Sequence, residues 1–168
     1  GCGQSWTAAF PAAVPAPVRL GTGVQALTTY LHEVHHVAYA RLRTVLDEVF
    51  GLRVSPGSLV ALVRRTGAAL EADADAIHAE VCARPVIGSD ETGMRIDGHN
   101  AWQWVFQTPD ATSFVRARGR GSEVIRAAMG DAQPEVWVSD LFSAQQKAPA
   151  ARFQMCVAHK LRNLAFAV

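Results

Sequence analysis

Residues 86–106, VIGSDETGMRIDGHNAWQWVF, read as two β-strands meeting at Asp97-Gly98. That dipeptide suits a two-residue hairpin, because both central positions of such a turn need positive φ and Asp and Gly tolerate it. The first strand carries two adjacent carboxylates, Asp90 and Glu91. On a regular strand they face opposite sides of the sheet. A dry, unpartnered carboxylate is costly, so each needs compensation: a cation, an ion pair or hydrogen-bond donors.

Downstream, TSFVRARG reads as a third strand reached through the turn TPDA, and GSEVIRAAMG as a short helix. PEVWVSDLF then reads as a buried strand ending at Asp140, FQMCVAH as another short strand, and HKLRNLAFAV as the beginning of a helix. This order places an antiparallel meander beside parallel additions, an α/β arrangement.

Upstream, the periodicity from about Val24 to Glu80 is helical. In HVAYARLRTVLDEVFG, the residues Tyr39, Leu42, Val45, Leu46, Val49 and Phe50 share one helical face, and Gly51 stands where a C-cap belongs. Ser55 and Pro56 form an N-cap followed by a first-turn proline, and Leu59, Val60, Leu62 and Val63 supply the next buried face. Two helices joined by GLRVS suggest a helix-turn-helix-like unit with Arg64 and Arg65 on its later helix, a geometry shared with packing modules that never touch DNA. The expected organisation is an N-terminal segment and Ala/Pro linker over 1–17, a helical module over 18–84, and a sheet-bearing domain over 85–168.

Composition is that of a globular chain: 168 residues, 49% hydrophobic, 18% charged, net charge +1. Of 16 basic residues all but Lys147 and Lys160 are Arg. That bias suits phosphate recognition and is equally produced by a GC-rich genome. The three cysteines, Cys2, Cys82 and Cys156, are odd in number and widely spaced, which argues against a disulfide framework and for a reducing compartment. No apolar run is long enough for a membrane span, so a cytoplasmic protein without membrane partners is expected.

If the strands bearing Asp90 and Asp140 are parallel neighbours, their carboxylates lie side by side and repel. A divalent cation relieves that repulsion, and Mg²⁺ takes one or two carboxylates together with waters and phosphate oxygens. The alternative is a strand-end Asp capping the following turn, which Asp140 before Leu-Phe-Ser also fits. Glu91 is expected to pair by ion pair or hydrogen bond in preference to binding metal. Arg116, Arg118 and Arg120 alternate, so on one strand they form a basic stripe for a phosphate backbone, or else a solvated edge guarded by charge. His32, His35 and His36 read as a surface cluster, while Trp102, Trp104 and Trp137 read as core.

Taken together, SDETGMRIDGHNAWQWVFQT, VWVSDLFSAQQ and FQMCVAHKLRNL, with ARLRTVLDEVFGLRVSPGSL upstream, closely resemble the insertion-sequence sixty-six family of bacterial transposases. The resemblance implies a ribonuclease H-like core with an Asp-Asp-Glu triad, in which Asp90 is the first acid and Asp140 the second, together holding Mg²⁺ or Mn²⁺. It also implies double-stranded DNA partners (terminal inverted repeats and target DNA), a homo-oligomer when active, and a bacterial, nucleoid-associated location.

By the same resemblance Cys2-Gly3 looks like the end of a zinc-binding segment. Cys156 and His159 form a family feature near the second acid, with His159 and Arg162 facing DNA. The third acid, a Glu, is expected beyond His159, where no acidic residue follows. Glu91, Glu123 and Glu135 lack its sequence context. The core is therefore expected to be incomplete and the isolated chain inactive, or a DNA-binding or transposase-pairing fragment that inhibits transposition.

Overall fold

The computed structural model describes residues 3–5, 9 and 20–166. Cys2, the expected end of a zinc-binding segment, and most of the Ala/Pro linker lie outside the described residues. The chain forms two compact units, Gly1–Glu71 and Ala72–Val168.

The first unit is helical: α1 (Thr22–Glu33), α2 (Tyr39–Phe50) and α3 (Pro56–Ala69). Gly51 ends α2 in the left-handed region at φ 66°, where its N–H reaches back to the Asp47 carbonyl and the Leu52 N–H to that of Leu46. The Ser55 side chain accepts from the Ser58 amide at 3.1 Å, and Pro56 opens α3. Leu42, Leu46 and Leu59 form the buried cluster, with Val24, Leu31, Val37, Tyr39, Leu52 and Val54 packed against it. The buried stripe of α2 is narrower than its periodicity suggested, since Val49 and Phe50 in the last turn are exposed. The histidine cluster is local packing. His32 Nδ1 donates to the Val37 carbonyl at 2.9 Å and its ring stacks on Tyr39, while His35 meets Tyr30 edge-on.

The second unit contains α4 (Glu71–Cys82, beginning one residue before it), β1 (Val86–Ile96), β2 (His99–Gln107), β3 (Thr112–Ala117), α5 (Ser122–Met129), β4 (Val136–Ser139), a 3₁₀ turn (Gln145–Lys147), β5 (Arg152–Met155) and α6 (Val157–Ala165). The five strands lie in the order β3-β2-β1-β4-β5, with β1, β2 and β3 antiparallel and β4 and β5 parallel to β1. Asp97 and Gly98 turn the β1–β2 hairpin at φ 50° and 79°, the positive pair that a type I′ turn requires.

Alternation then sorts the faces. Glu91, Trp104 and Val115 stand in one cross-strand row, and Ser89, Phe106 and Ser113 in another, all on the face that packs against α4 and α5. Ile87, Trp104, Phe106, Trp137, Ile125 and Val81 form its fully buried centre, and Trp102 packs on its margin. Trp104 and Trp137 are core residues as expected, while Trp102 is half-buried at the edge.

His78 on α4 is pinned between two elements. Its Nε2–H donates to the Ala128 carbonyl at 2.8 Å, so Nδ1 accepts from the Ser113 hydroxyl at 2.6 Å. The segment expected as a strand through His159 is shorter, since β5 stops at Met155 and Val157 already begins α6. Leu161, Leu164 and Phe166 on and after α6 are exposed.

Candidate active site

Strand β1 pairs with β4 in parallel register: Val86 with Val136, Ile87 with Trp137, Gly88 with Val138. Asp90 and Asp140 each lie two residues beyond the last pair of that ladder, Asp90 still within β1 and Asp140 just past the end of β4. Alternation along β1 puts Asp90 on the face opposite the packed core. The two strands that sequence reasoning wanted as parallel neighbours are paired in that way.

Both acids are held by the backbone. Asp90 Oδ1 accepts from the Glu91 amide at 2.9 Å, and its side chain is 49% exposed. Asp140 Oδ1 accepts from the Phe142 amide at 2.9 Å, so it does cap a turn as one reading proposed. Each carboxylate keeps its other oxygen for a further partner. For Asp90, that oxygen lies 3.5 Å from His159 Nε2.

His159 lies in the first turn of α6 and joins Asp140, Leu141, Phe142, Met155, Lys160 and Arg162 in lining a cleft of about 320 Å³. Cys156 is the N-cap residue of α6. The His159 backbone amide first, then its ring, favour the thiolate and hold Cys156 below the usual thiol range. No side-chain cap hydrogen bond closes here, and His159 Nδ1 is buried without a partner, so the effect is one of close approach. The His159 imidazole is raised above its ordinary value by the Cys156 thiol and by the charge of Asp90, against the opposing effect of burial.

Glu91, on the opposite face, has a side chain only 1% exposed. Arg120 Nε and Nη2 both donate to its Oε1, at 2.9 and 2.7 Å, and Gln145 Nε2 donates to Oε2 at 2.6 Å. Glu91 is therefore an ion-pair partner, as its position on the strand led us to expect.

The same observation corrects the arginine stripe. β3 ends at Ala117, so Arg118 lies in a bend, and Arg120 leaves the strand altogether through Gly119 to reach Glu91. The buried carboxylate recruits Arg120 because an uncompensated charge there is too costly. Arg116 and Arg118 remain exposed. The register Thr92–Gln103–Arg116 puts Arg116 on the same sheet face as Asp90. Arg162, expected to face DNA with His159, is exposed on α6 and lines the cleft. Gln145 escaped sequence reasoning; within AQQK nothing marks it as buried.

Asp90 on β1 and Asp140 just past β4 each offer a hard carboxylate oxygen of the kind that Mg²⁺ or Mn²⁺ takes together with water and substrate oxygens. Among the described residues no group of three or more His, Cys, Asp or Glu is placed to hold a metal.

The fold is thus α/β, a mixed sheet in the order β3-β2-β1-β4-β5 with flanking helices, with one acid on β1 and the other just past β4. The profile of the family described as "Transposase IS66 family" matches residues 17–168, and the chain belongs to that family. No curated protein matches the chain. Among solved structures, it is similar to a chain of the simian T-cell lymphotropic virus intasome in complex with PP2A regulatory subunit B56 gamma. Identity there is 13% and the TM-score 0.33, over 77% of this chain and 51% of that one, so the chain spans about half of that neighbour's length.

Proposed function

We propose that this chain carries part of the DNA strand-cleavage and strand-transfer centre of a transposase, with Asp90 and Asp140 as two of its cation ligands. The observation that supports the reading is the parallel β1–β4 pairing, which ends at Gly88 and Val138, two residues before each acid. Mg²⁺ or Mn²⁺ held by them would neutralise charge on a phosphodiester and favour in-line attack by water or by a 3′ hydroxyl.

The chain's own residues supply the rest. His159 Nε2 lies 3.5 Å from the second oxygen of Asp90. Lys160 and Arg162 flank Asp140 in the cleft with charges suited to phosphate oxygens. Arg116 and Arg118 offer further phosphate contacts, which position DNA without reading its sequence. The substrates are transposon-end and target DNA, and a second copy of the protein is the expected partner because two ends must be joined.

The test is Mn²⁺ binding to the 168-residue chain, followed by water-proton relaxation, with nicking of supercoiled DNA in Mg²⁺ measured alongside. Binding that is lost in Asp90→Asn and in Asp140→Asn supports the reading; binding indifferent to both overturns it. DNA retained but never nicked would support the inhibitory fragment.

A further inference from the structure

The acid pair is backed by a polar network that crosses the core beneath it. Trp137 Nε1, which can only donate, bonds Gln145 Oε1 at 2.9 Å, and this orients the Gln145 amide so that Nε2 faces Glu91. Arg120 closes the other side of Glu91 and lies between two rings, 4.0 Å from the Phe142 centroid and 4.5 Å from that of Trp102. Every member is satisfied. A well-packed apolar core would stabilise the fold as well or better, so the arrangement asks for a reason besides stability.

Its connectivity supplies one. Glu91 follows Asp90 on β1. Arg120, held by Glu91, stacks on Phe142, whose amide holds Asp140. A second route runs from Glu91 through Gln145 to Trp137 on β4, ahead of Asp140. Both join the segment carrying one acid to the segment carrying the other. They do so independently of the strand ladder, whose β4 portion ends at Ser139.

We propose that Glu91 and Arg120 are positioning residues: the buried Glu91 carboxylate anchors Arg120, which clamps the Asp140–Phe142 turn through the Phe142 ring and so holds the Asp140 carboxylate in place toward Asp90. This rests on the reading of the two acids as a cation site. Neither residue touches the cation or the DNA. Outer groups of this kind typically alter metal affinity by about 10–100-fold when removed.

The experiment compares the whole ¹⁵N-labelled chain with Arg120→Lys, which keeps the charge but loses the planar stacking fork, and with Glu91→Gln and Phe142→Leu. Three quantities are read: cooperative thermal unfolding, exchange of the Phe142 amide against that of Val105 in the β1–β2 ladder, and Mn²⁺ affinity. In folded variants we expect Phe142 exchange to rise about tenfold or more while Val105 holds, with Mn²⁺ affinity falling about tenfold.

A folded variant with both Phe142 exchange and Mn²⁺ affinity unchanged overturns the proposal. If Glu91→Gln fails to fold, Phe142→Leu decides, because it alters only a half-buried ring at the edge of the network. A wild-type chain that binds no Mn²⁺ at Asp90 and Asp140 brings down the cation reading. The amide comparison then stands alone: raised Phe142 exchange upholds the clamp on Asp140, and unchanged exchange removes it.

Discussion

Arg120 Nη2 lies 2.7 Å from Glu91 Oε1, and the Glu91 side chain is 1% exposed although its neighbour Asp90 on the same strand is half open to solvent. One pleat separates a carboxylate built into the core from one presented on the opposite face.

Removing the amide that bridges the network should be expensive. Gln145→Leu leaves Glu91 Oε2 and Trp137 Nε1 without their buried partners. Unmade hydrogen bonds of this kind cost about 1–3 kcal/mol each, more for a charged group. We expect chemical denaturation of Gln145→Leu to show a loss of at least about 2 kcal/mol. Trp137→Phe should lose more through packing than through its single hydrogen bond, since the indole is fully buried.

The turn at Asp140 separates its two roles. Asn accepts the Phe142 amide as Asp does, so Asp140→Asn should keep wild-type stability within about 0.5 kcal/mol while losing Mn²⁺. Asp140→Ala should lose the cation and also about 0.5–2 kcal/mol, the usual loss for a capping side chain. Equal destabilisation by both substitutions would contradict the capping geometry.

Thiol reactivity should split by environment. Burial raises Cys82, whereas the backbone amide and ring of His159 lower Cys156. The thiolate is the nucleophile, so Cys156 should be alkylated faster than Cys82 at neutral pH. Its midpoint should fall below the ordinary thiol value of about 8.5. Peptide mapping after iodoacetamide treatment over a pH series measures both sites. His159→Ala should move the Cys156 midpoint upward and leave Cys82 unchanged.

Within the helical unit, Leu46→Ala removes a fully buried side chain and should cost about 2–5 kcal/mol. Val49→Ala, one turn on and exposed, should fall within about 0.5 kcal/mol of wild type. Calorimetry of the two variants distinguishes the narrow buried stripe from the broad one that periodicity alone suggests.

The arginines should differ in DNA binding. Arg116→Gln and Arg118→Gln should each lower the salt slope of duplex binding by about one and weaken all sequences alike. For a chain that binds DNA through these residues, folded Arg120→Gln should leave the slope unchanged, because its guanidinium is engaged with Glu91. A drop on that substitution would mean Arg120 reaches phosphate after all.

Much of this organisation was legible beforehand for identifiable reasons. Asp97-Gly98 fixes a hairpin through φ requirements that few residues meet, and Ser55-Pro56 marks a helix start by satisfying or omitting amides that the helix leaves free. These are local signals. The parallel pairing of the strand bearing Asp90 with the strand that leads to Asp140 is not local, and the sequence signals it only through several motifs occurring in order.

Arg120 was misread because the alternation Arg116-Arg118-Arg120 assumes a strand that continues, whereas the strand ends at Ala117 and tertiary demand from Glu91 decides the rest. Gln145 carries no signal at all: a glutamine in a polar run reads as surface until a buried tryptophan N–H and a buried carboxylate are found on either side of it.

The parallel pairing of β1 with β4 also bears on how such a chain tolerates change. Insertions and deletions in the loops leading to β4 alter only the path of the connection, because the ladder re-forms wherever the apolar alternation matches. A single-residue shift inside β4 itself turns every side chain over and takes Trp137 out of the core. Length in the connection is evolutionarily cheap, while the phase of four residues, Val136–Ser139, is not.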